Sequence, residues 1–261
     1  MNVMDSFSLK GKVALITGGA GIVGQQMVRA LYEAGATTCV ASRNIDSLYD
    51  LRDSLAKDDF DITPLQYDQS EEASILALRD AVLDQHGRID ILVNNAVLRP
   101  MKDGYKGDAS TFDQSMQVNA TGLFVITRAM GDVMAEQGNG SIINIGSIQG
   151  MVGADPEIYN NTEMNGWYPD YYFHKGGMIN FTRFTGSYYG ASGVRCNCLS
   201  PGGVATENHP EAFVEQYSAR TFLGRLANQT DMMGSIVFLA SDASIYVTGT
   251  NIPVDGGYTA K

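Results

Sequence analysis

VALITGGAGIVGQQMVRALYEAG, Val13 to Gly35, is the stretch on which the fold turns. Val13–Thr17 is a continuous apolar run that suits a strand buried on both faces. From Ile22 the apolar residues recur at helical spacing to about Ala34, and Gly35 supplies a C-terminal helix stop. Between strand and helix lies TGGAGIVG, in which Gly19, Gly21 and Gly24 satisfy GxGxxG and Gly18 precedes them. Glycine there permits positive φ and lets a diphosphate approach the N–H groups at the helix N-terminus, where the helix dipole favours negative charge. In that context Gly18, Gly19, Gly21, Ile22 and Gly24 read as a nucleotide-binding turn; without it they would be a tight connection.

Working outward, a second strand, TTCVAS, follows directly. Helical patterns over 45–56, 71–86 and 111–137 alternate with strand-like runs at ITPLQYD, IDILVNN and SIINIGS. After Ser147 comes an aperiodic segment, then a helix through Tyr171 to Tyr189 and the strand VRCNCLS with its breaker PGG. A stretch over about 204–223, a helix near 231–240 and a last, edge-closing strand, NIPVD, complete the chain. Strands apolar on both faces, alternating with helices, imply a parallel sheet covered on each side. The expectation is α/β: one doubly wound domain over 1–261, with about seven strands and no linker or repeat.

The 261 residues carry a net charge of -11 and no basic run, which disfavours nucleic acid as a partner. No signal-like segment and no membrane-length apolar run is present, so a cytoplasmic protein with no membrane partner is expected. Cys196 and Cys198 alternate in a strand and, with Cys39, read as packed, reduced thiols. His86, His174 and His209 lack metal-binding spacing, so no metal is expected.

The second strand ends Ala41, Ser42, Arg43, where an acidic residue would bind a ribose 2′-hydroxyl. Arg43 can instead pair with a 2′-phosphate, which favours NADP(H) and leaves NAD(H) open. Further on, Tyr171 and Lys175 form YxxxK, one turn apart on one helix face.

The ordered set resembles the short-chain dehydrogenase/reductase family over essentially the whole chain: TGGAGIVG, Asp68 in QYDQS, NNA at 94–96, Asn119 in VNATG, Ser147 in NIGSIQG, YxxxK, PGGVAT from Pro201, and TGTNIPVDGG. The resemblance implies a Rossmann-like fold and the interconversion of a secondary alcohol and a ketone in a small-molecule substrate. Tyr171 is the implied acid/base. Lys175 holds the nicotinamide ribose and supplies the positive charge that a phenol needs to act as a base near neutrality. Ser147 is implied to hydrogen-bond the substrate oxygen, and Asn119 to hold a water linking Lys175 to solvent. Ser42, Arg43, Asp68, Asn94 and Ala96 fall on the adenosine side, and Pro201, Gly202, Val204 and Thr206 on the nicotinamide side. Family members commonly form symmetric dimers or tetramers, and residues 204–223 correspond to a lid.

Three departures carry information. The glycine spacing TGxxGxxG is similar to the epimerase and dehydratase branch, whereas the chain length and the VDGG ending are similar to the single-domain branch. Val97 stands where the family usually has glycine. The gap between Ser147 and Tyr171 is longer than usual, and the insert, about 150–169, includes Glu157, Asn160, Asn161, Thr162, Glu163, Asn165 and Trp167. That polar mixture suits a polyhydroxylated substrate and is similar to family members acting on sugars, including some tied to bacterial surface glycans. A sugar or sugar-acid oxidoreductase is therefore expected; an epimerase or dehydratase recycling its cofactor, a reductase of a non-sugar ketone, and a non-catalytic nucleotide sensor are the alternatives. Arg99 reads as an exposed loop cation, with attraction of a substrate anion as its alternative. His174, rotated about 100° from Lys175 on the helix, reads as structural, and Gly176 and Gly177 read as a close approach at a subunit boundary.

Overall fold

The computed structural model describes residues 2–261. Seven strands, β1 (Val13–Thr17), β2 (Thr37–Ser42), β3 (Ile62–Gln66), β4 (Ile91–Asn94), β5 (Gly140–Ile145), β6 (Val194–Pro201) and β7 (Asn251–Val254), form one sheet in the order β3-β2-β1-β4-β5-β6-β7. Every pairing is parallel. The order reverses at β1, which pairs with both β2 and β4; the ends of these two strands therefore diverge into a crevice.

Alternation along β1 explains the two layers. Ala14 and Ile16 point into a core shared with Met27 and Leu31 of α1 (Ile22–Glu33), Leu48 of α2 (Ile45–Leu55) and Leu239 of α8 (Met233–Ala240). Val13 and Leu15 point the other way, toward Val82 of α3 (Glu72–His86) and Ile126 and Met130 of α5 (Leu123–Gln137). Cys39 and Cys196 belong to this second core, and all three thiols are free and buried; burial pushes Cys39 up to about 12. Among the described residues no helix is long and apolar enough to cross a membrane, and no group of three or more His, Cys, Asp or Glu is placed to hold a metal.

The helix expected over 111–137 is broken. Residues Ala109–Met116 form α4, Gln117–Gly122 a π-turn, and α5 follows. The cause is Gln69, in the loop after β3: its Nε2 donates to the Val118 carbonyl at 2.9 Å, drawing that acceptor out of the α ladder. Gly122 makes the approach possible, because a Cβ there would lie 2.2 Å from the Gln69 carbonyl oxygen.

Helix α6 (Pro169–Tyr189) carries YxxxK and buries an unusual polar set, Asp170, His174 and Lys175. The close approach expected at its glycine pair is not made within the chain: a Cβ on Gly177 would meet nothing within 4 Å, and one on Gly176 only an ordinary contact. Tight contact falls lower on the same helix, at Gly186, whose Cβ would lie 2.9 Å from Thr248 Oγ1. The stretch 204–223 contains α7 (Glu211–Ser218), and the insert folds around a 3₁₀ turn at Pro156–Tyr159.

His174 is 4% exposed, and neither ring nitrogen has a hydrogen-bond partner in the chain. Burial, reinforced by the charges of Lys175 and Arg99, pushes its pKa down to about 3. The unfolded imidazole titrates near pH 6.5, so between these values the unfolded state binds the extra proton. Acidification through that window therefore destabilises the fold by up to about 1.4 kcal/mol per pH unit. Urea unfolding near neutrality and at about pH 5 should show His174→Met losing less stability than the parent chain; equal losses would refute the assignment.

Candidate active site

The crevice opens at the C-terminal ends of β1, β4, β5 and β6, and one side chain fixes its mouth. Thr17 Oγ1, fully buried at the end of β1, accepts from the N–H groups of Asn95 and Ala96, both at 3.0 Å. Asn95 returns the connection, its Nδ2 donating to the carbonyls of Thr17 (3.1 Å) and Gly18 (2.8 Å). Gly18 sits at φ +65°, and a Cβ there would lie 2.9 Å from Ala96 Cα. At Gly24 a Cβ would come within 2.5 Å of the Gly18 carbonyl oxygen, so this glycine lets α1 rest on the turn. Gly19 is held against Val40 in the same way. Gly21 is the N-cap of α1 and no side chain caps it, leaving the N-terminal N–H groups for an external anion, and Ile22 projects beside them, 56% exposed. A turn with its glycines fixed and its helix end uncapped fits the diphosphate of a dinucleotide.

From the turn, a cavity of about 150 Å³ runs toward β2 and β3, lined by Gly18, Ser42, Arg43, Asp68 and Ala96. Tyr67 and Gln69, which lie outside the expected site residues, also line it, as does Val97. Val97, 42% exposed, thus presents its side chain where the family's glycine presents none. Asp68 is held below the usual carboxylate range, chiefly by the Ser70 hydroxyl and N–H and also by the Arg43 charge. Asn94 does not join this cavity: its Nδ2 donates to Thr127 Oγ1 and Asn144 Oδ1 beneath the sheet. Strand alternation is the reason, since a residue buried within β4 and the one after it face opposite sides. Asn95 is the member of the pair that serves the turn.

At the other end of the crevice, Lys175 is 3% exposed and its Nζ donates to the carbonyl of Ile145, at the end of β5. Burial lowers its pKa, against the Tyr171 interaction, which raises it. The ammonium lies 5.6 Å from the Tyr171 ring centroid. Ser147, just past β5, is 8% exposed and caps the short turn Ile148–Gly150 by accepting from the Gln149 N–H. That turn abuts α6 so closely that a Cβ on Gly150 would lie 2.6 Å from the Lys175 carbonyl carbon. Ser147 accepts in this contact, so its own O–H is left to donate toward the crevice. Asn119 lies in the π-turn, 3% exposed; its amide is consumed by the N–H and carbonyl of Leu98 (2.8 and 2.7 Å) and by Ser115. Both amide N–H donors are thereby engaged, so any water at Asn119 must donate to one of its carbonyl oxygens.

Arg99 follows Leu98 and is, as expected, an exposed cation of the loop after β4, yet one with aromatic neighbours. Its guanidinium lies over the Tyr171 ring at 4.7 Å and the Tyr168 ring at 5.2 Å. The sequence shows the cation; its contact with Tyr168 of the insert and with Tyr171 is what the structure adds.

Past β6, Pro201 pairs with Val254, Gly202 N–H donates to the Val254 carbonyl, and Val204 bridges Ala227. Thr206 N–H donates to His209 Nδ1 at 3.4 Å. The insert is fastened to α7 and the turn after it: Arg220 pairs with Asp155 (2.8 Å) and Glu157, Gln216 donates to the Asn160 carbonyl, and Tyr159 stacks on Phe213 at 5.8 Å. Glu157, one of the polar residues of the insert, thereby pairs with Arg220.

Comparison with known proteins agrees with this geometry. Residues 18–259 match the family model described as enoyl-(acyl carrier protein) reductase. D-threitol dehydrogenase of Mycolicibacterium smegmatis is 31% identical over 100% of this chain and 98% of its own length. The crystal structure of a short-chain type dehydrogenase/reductase from Mycobacterium marinum superposes with a TM-score of 0.88 at 29% identity, covering all of both chains. That of a gluconate 5-dehydrogenase from Burkholderia cenocepacia, in complex with NADP and tartrate, gives 0.87 at 31%, again over all of both chains. With the crevice, the Tyr171–Lys175 pair and these full-length matches in agreement, the chain belongs to the short-chain dehydrogenase/reductase family of enzymes acting on CH–OH groups.

Proposed function

We propose that this enzyme interconverts a secondary alcohol and a ketone on a polyhydroxylated substrate, with NADP(H) as the favoured carrier. The observation that carries the reading is the buried Lys175 ammonium, anchored to β5 beside Tyr171 and Ser147 at the end of a crevice that fits a dinucleotide. Bound there, a nicotinamide supplies the hydride acceptor or donor. In the oxidative direction Tyr171 takes the carbinol proton as the C–H bond gives up its hydride; in reduction it returns that proton. Ser147 donates its O–H to the substrate oxygen, holding the carbon in line. Lys175 favours the ionised phenol through its charge, and the Asn119 carbonyl holds the water by which the proton reaches solvent. The polyol and sugar-acid relatives support a polyhydroxylated substrate.

Arg43 supports NADP(H): it lines the adenosine end, makes no ion pair with any described residue, and no carboxylate ends β2. The chain is further inferred to work as a symmetric dimer or tetramer. Phe124, Phe173, Phe184 and Tyr188 are each at least 45% exposed and continue across α5 and α6, beside the open space at Gly177. Exposed aromatics in that continuity suit a self-complementary interface.

Three measurements test these readings. Tyr171→Phe should lower kcat by about 10²- to 10⁴-fold while NADP(H) affinity, read by fluorescence titration, changes little; a variant that kept most of its rate would overturn the mechanism. Ser42→Asp with Arg43→Leu should reduce the NADP-over-NAD preference by roughly 10- to 100-fold, and an unchanged preference would remove Arg43 from cofactor selection. Light scattering should find a dimer or tetramer that Phe184→Glu makes smaller, whereas a monomeric parent chain would end the assembly proposal.

A further inference from the structure

Beside the reacting centre lies a second cavity, about 180 Å³, lined by Arg99, Met101, Lys102, Tyr168 and Asp170. Most arginines of this acidic chain are neutralised by a carboxylate, as Arg88 is by Asp90 and Arg225 by Asp231. Arg99 makes neither an ion pair nor a side-chain hydrogen bond with any described residue, and Lys102 makes no ion pair. The Asp170 carboxylate faces the same space, 1% exposed, but accepts from Ser115 Oγ at 2.6 Å, and two cations against one carboxylate leave a surplus positive charge.

Arg99 is also held in place. Leu98, the residue before it, is bound through both its N–H and its carbonyl to Asn119, and the guanidinium lies over the Tyr168 and Tyr171 rings. The cation–π contacts hold the guanidinium against the two rings while its N–H donors stay unpaired, and such a fork suits bidentate capture of an oxyanion. The Arg99 charge also disfavours the charged form of Lys175, an unfavourable pairing that an anion seated on Arg99 relieves.

We propose that Arg99, with Lys102, seats a terminal oxyanion of the polyhydroxylated substrate, a carboxylate or a phosphate monoester, while its carbinol meets Tyr171. This rests on the function proposed above and narrows it: acidic sugar derivatives are the substrates, and neutral polyols are poor ones. The anionic end sets which carbon reaches Tyr171, so Arg99 is a specificity-determining residue.

The test uses NADP-saturated protein, in which Arg43 is already engaged, and compares the parent chain with Arg99→Leu and Arg99→Lys. Calorimetric titration with D-gluconate and with inorganic phosphate should show binding that Arg99→Leu weakens by about 10- to 100-fold and Arg99→Lys weakens less. Turnover assays on matched aldonates, sugar phosphates and neutral polyols distinguish the carboxylate from the phosphate source. The anionic class used should exceed its neutral counterpart in kcat/KM, and Arg99→Leu should erase that advantage chiefly through KM. Titrations in which neither anion binds, or binds both proteins alike, overturn the anion seat, as does a parent chain that prefers neutral polyols. If the anions bind in the expected way but no substrate of any class is turned over, the proposed reaction fails and the anion seat stands.

Discussion

Everything at the reacting end hangs on a buried ammonium. Lys175 lies inside the protein on α6 and donates to the carbonyl of Ile145 at the end of β5. A charge taken out of water is tolerated only when hydrogen-bonded and held near compensating groups, so α6 cannot slide along the sheet without stranding it. Gly150 closes the same joint from the other side by allowing the turn after Ser147 to touch the Lys175 backbone. The phenol of Tyr171 and the hydroxyl of Ser147, on different elements and distant in sequence, are thus held to one frame.

The layers were legible because the strands are apolar on both faces and the helices on one; β1 feeds two cores by simple alternation, and its run in the sequence shows it. What escaped reading depends on single contacts between distant segments. The 111–137 helix has an unbroken helical pattern, and nothing in it announces that Gln69 will reach the Val118 carbonyl and open a π-turn around Asn119. NNA marks the loop after β4, but which asparagine faces the crevice is set by where the strand ends, an uncertainty of one residue that exchanges core for site. Arg99 was legible as a loop cation with anion attraction as its second reading, but its contact with Tyr168, in an insert with no period of its own, was not.

Charge is distributed along the crevice with economy. The chain is strongly acidic, yet Arg43 in the cavity by the glycine turn and Arg99 in the cavity by Tyr168 lack carboxylate partners. Anionic groups are favoured at two separated points, which orients a long ligand pair before any close fit is made.

The two hydrogen bonds between Asn119 and Leu98 make the loop after β4 a rigid mount. The same side chain that donates to Ser115 in the neighbouring helix thereby fixes the backbone from which Arg99 projects. What can vary freely is the side chain presented at position 99. In descent from a common scaffold, a new substrate range would then arise here by exchanging one residue on an unmoved backbone, with the catalytic frame inherited intact.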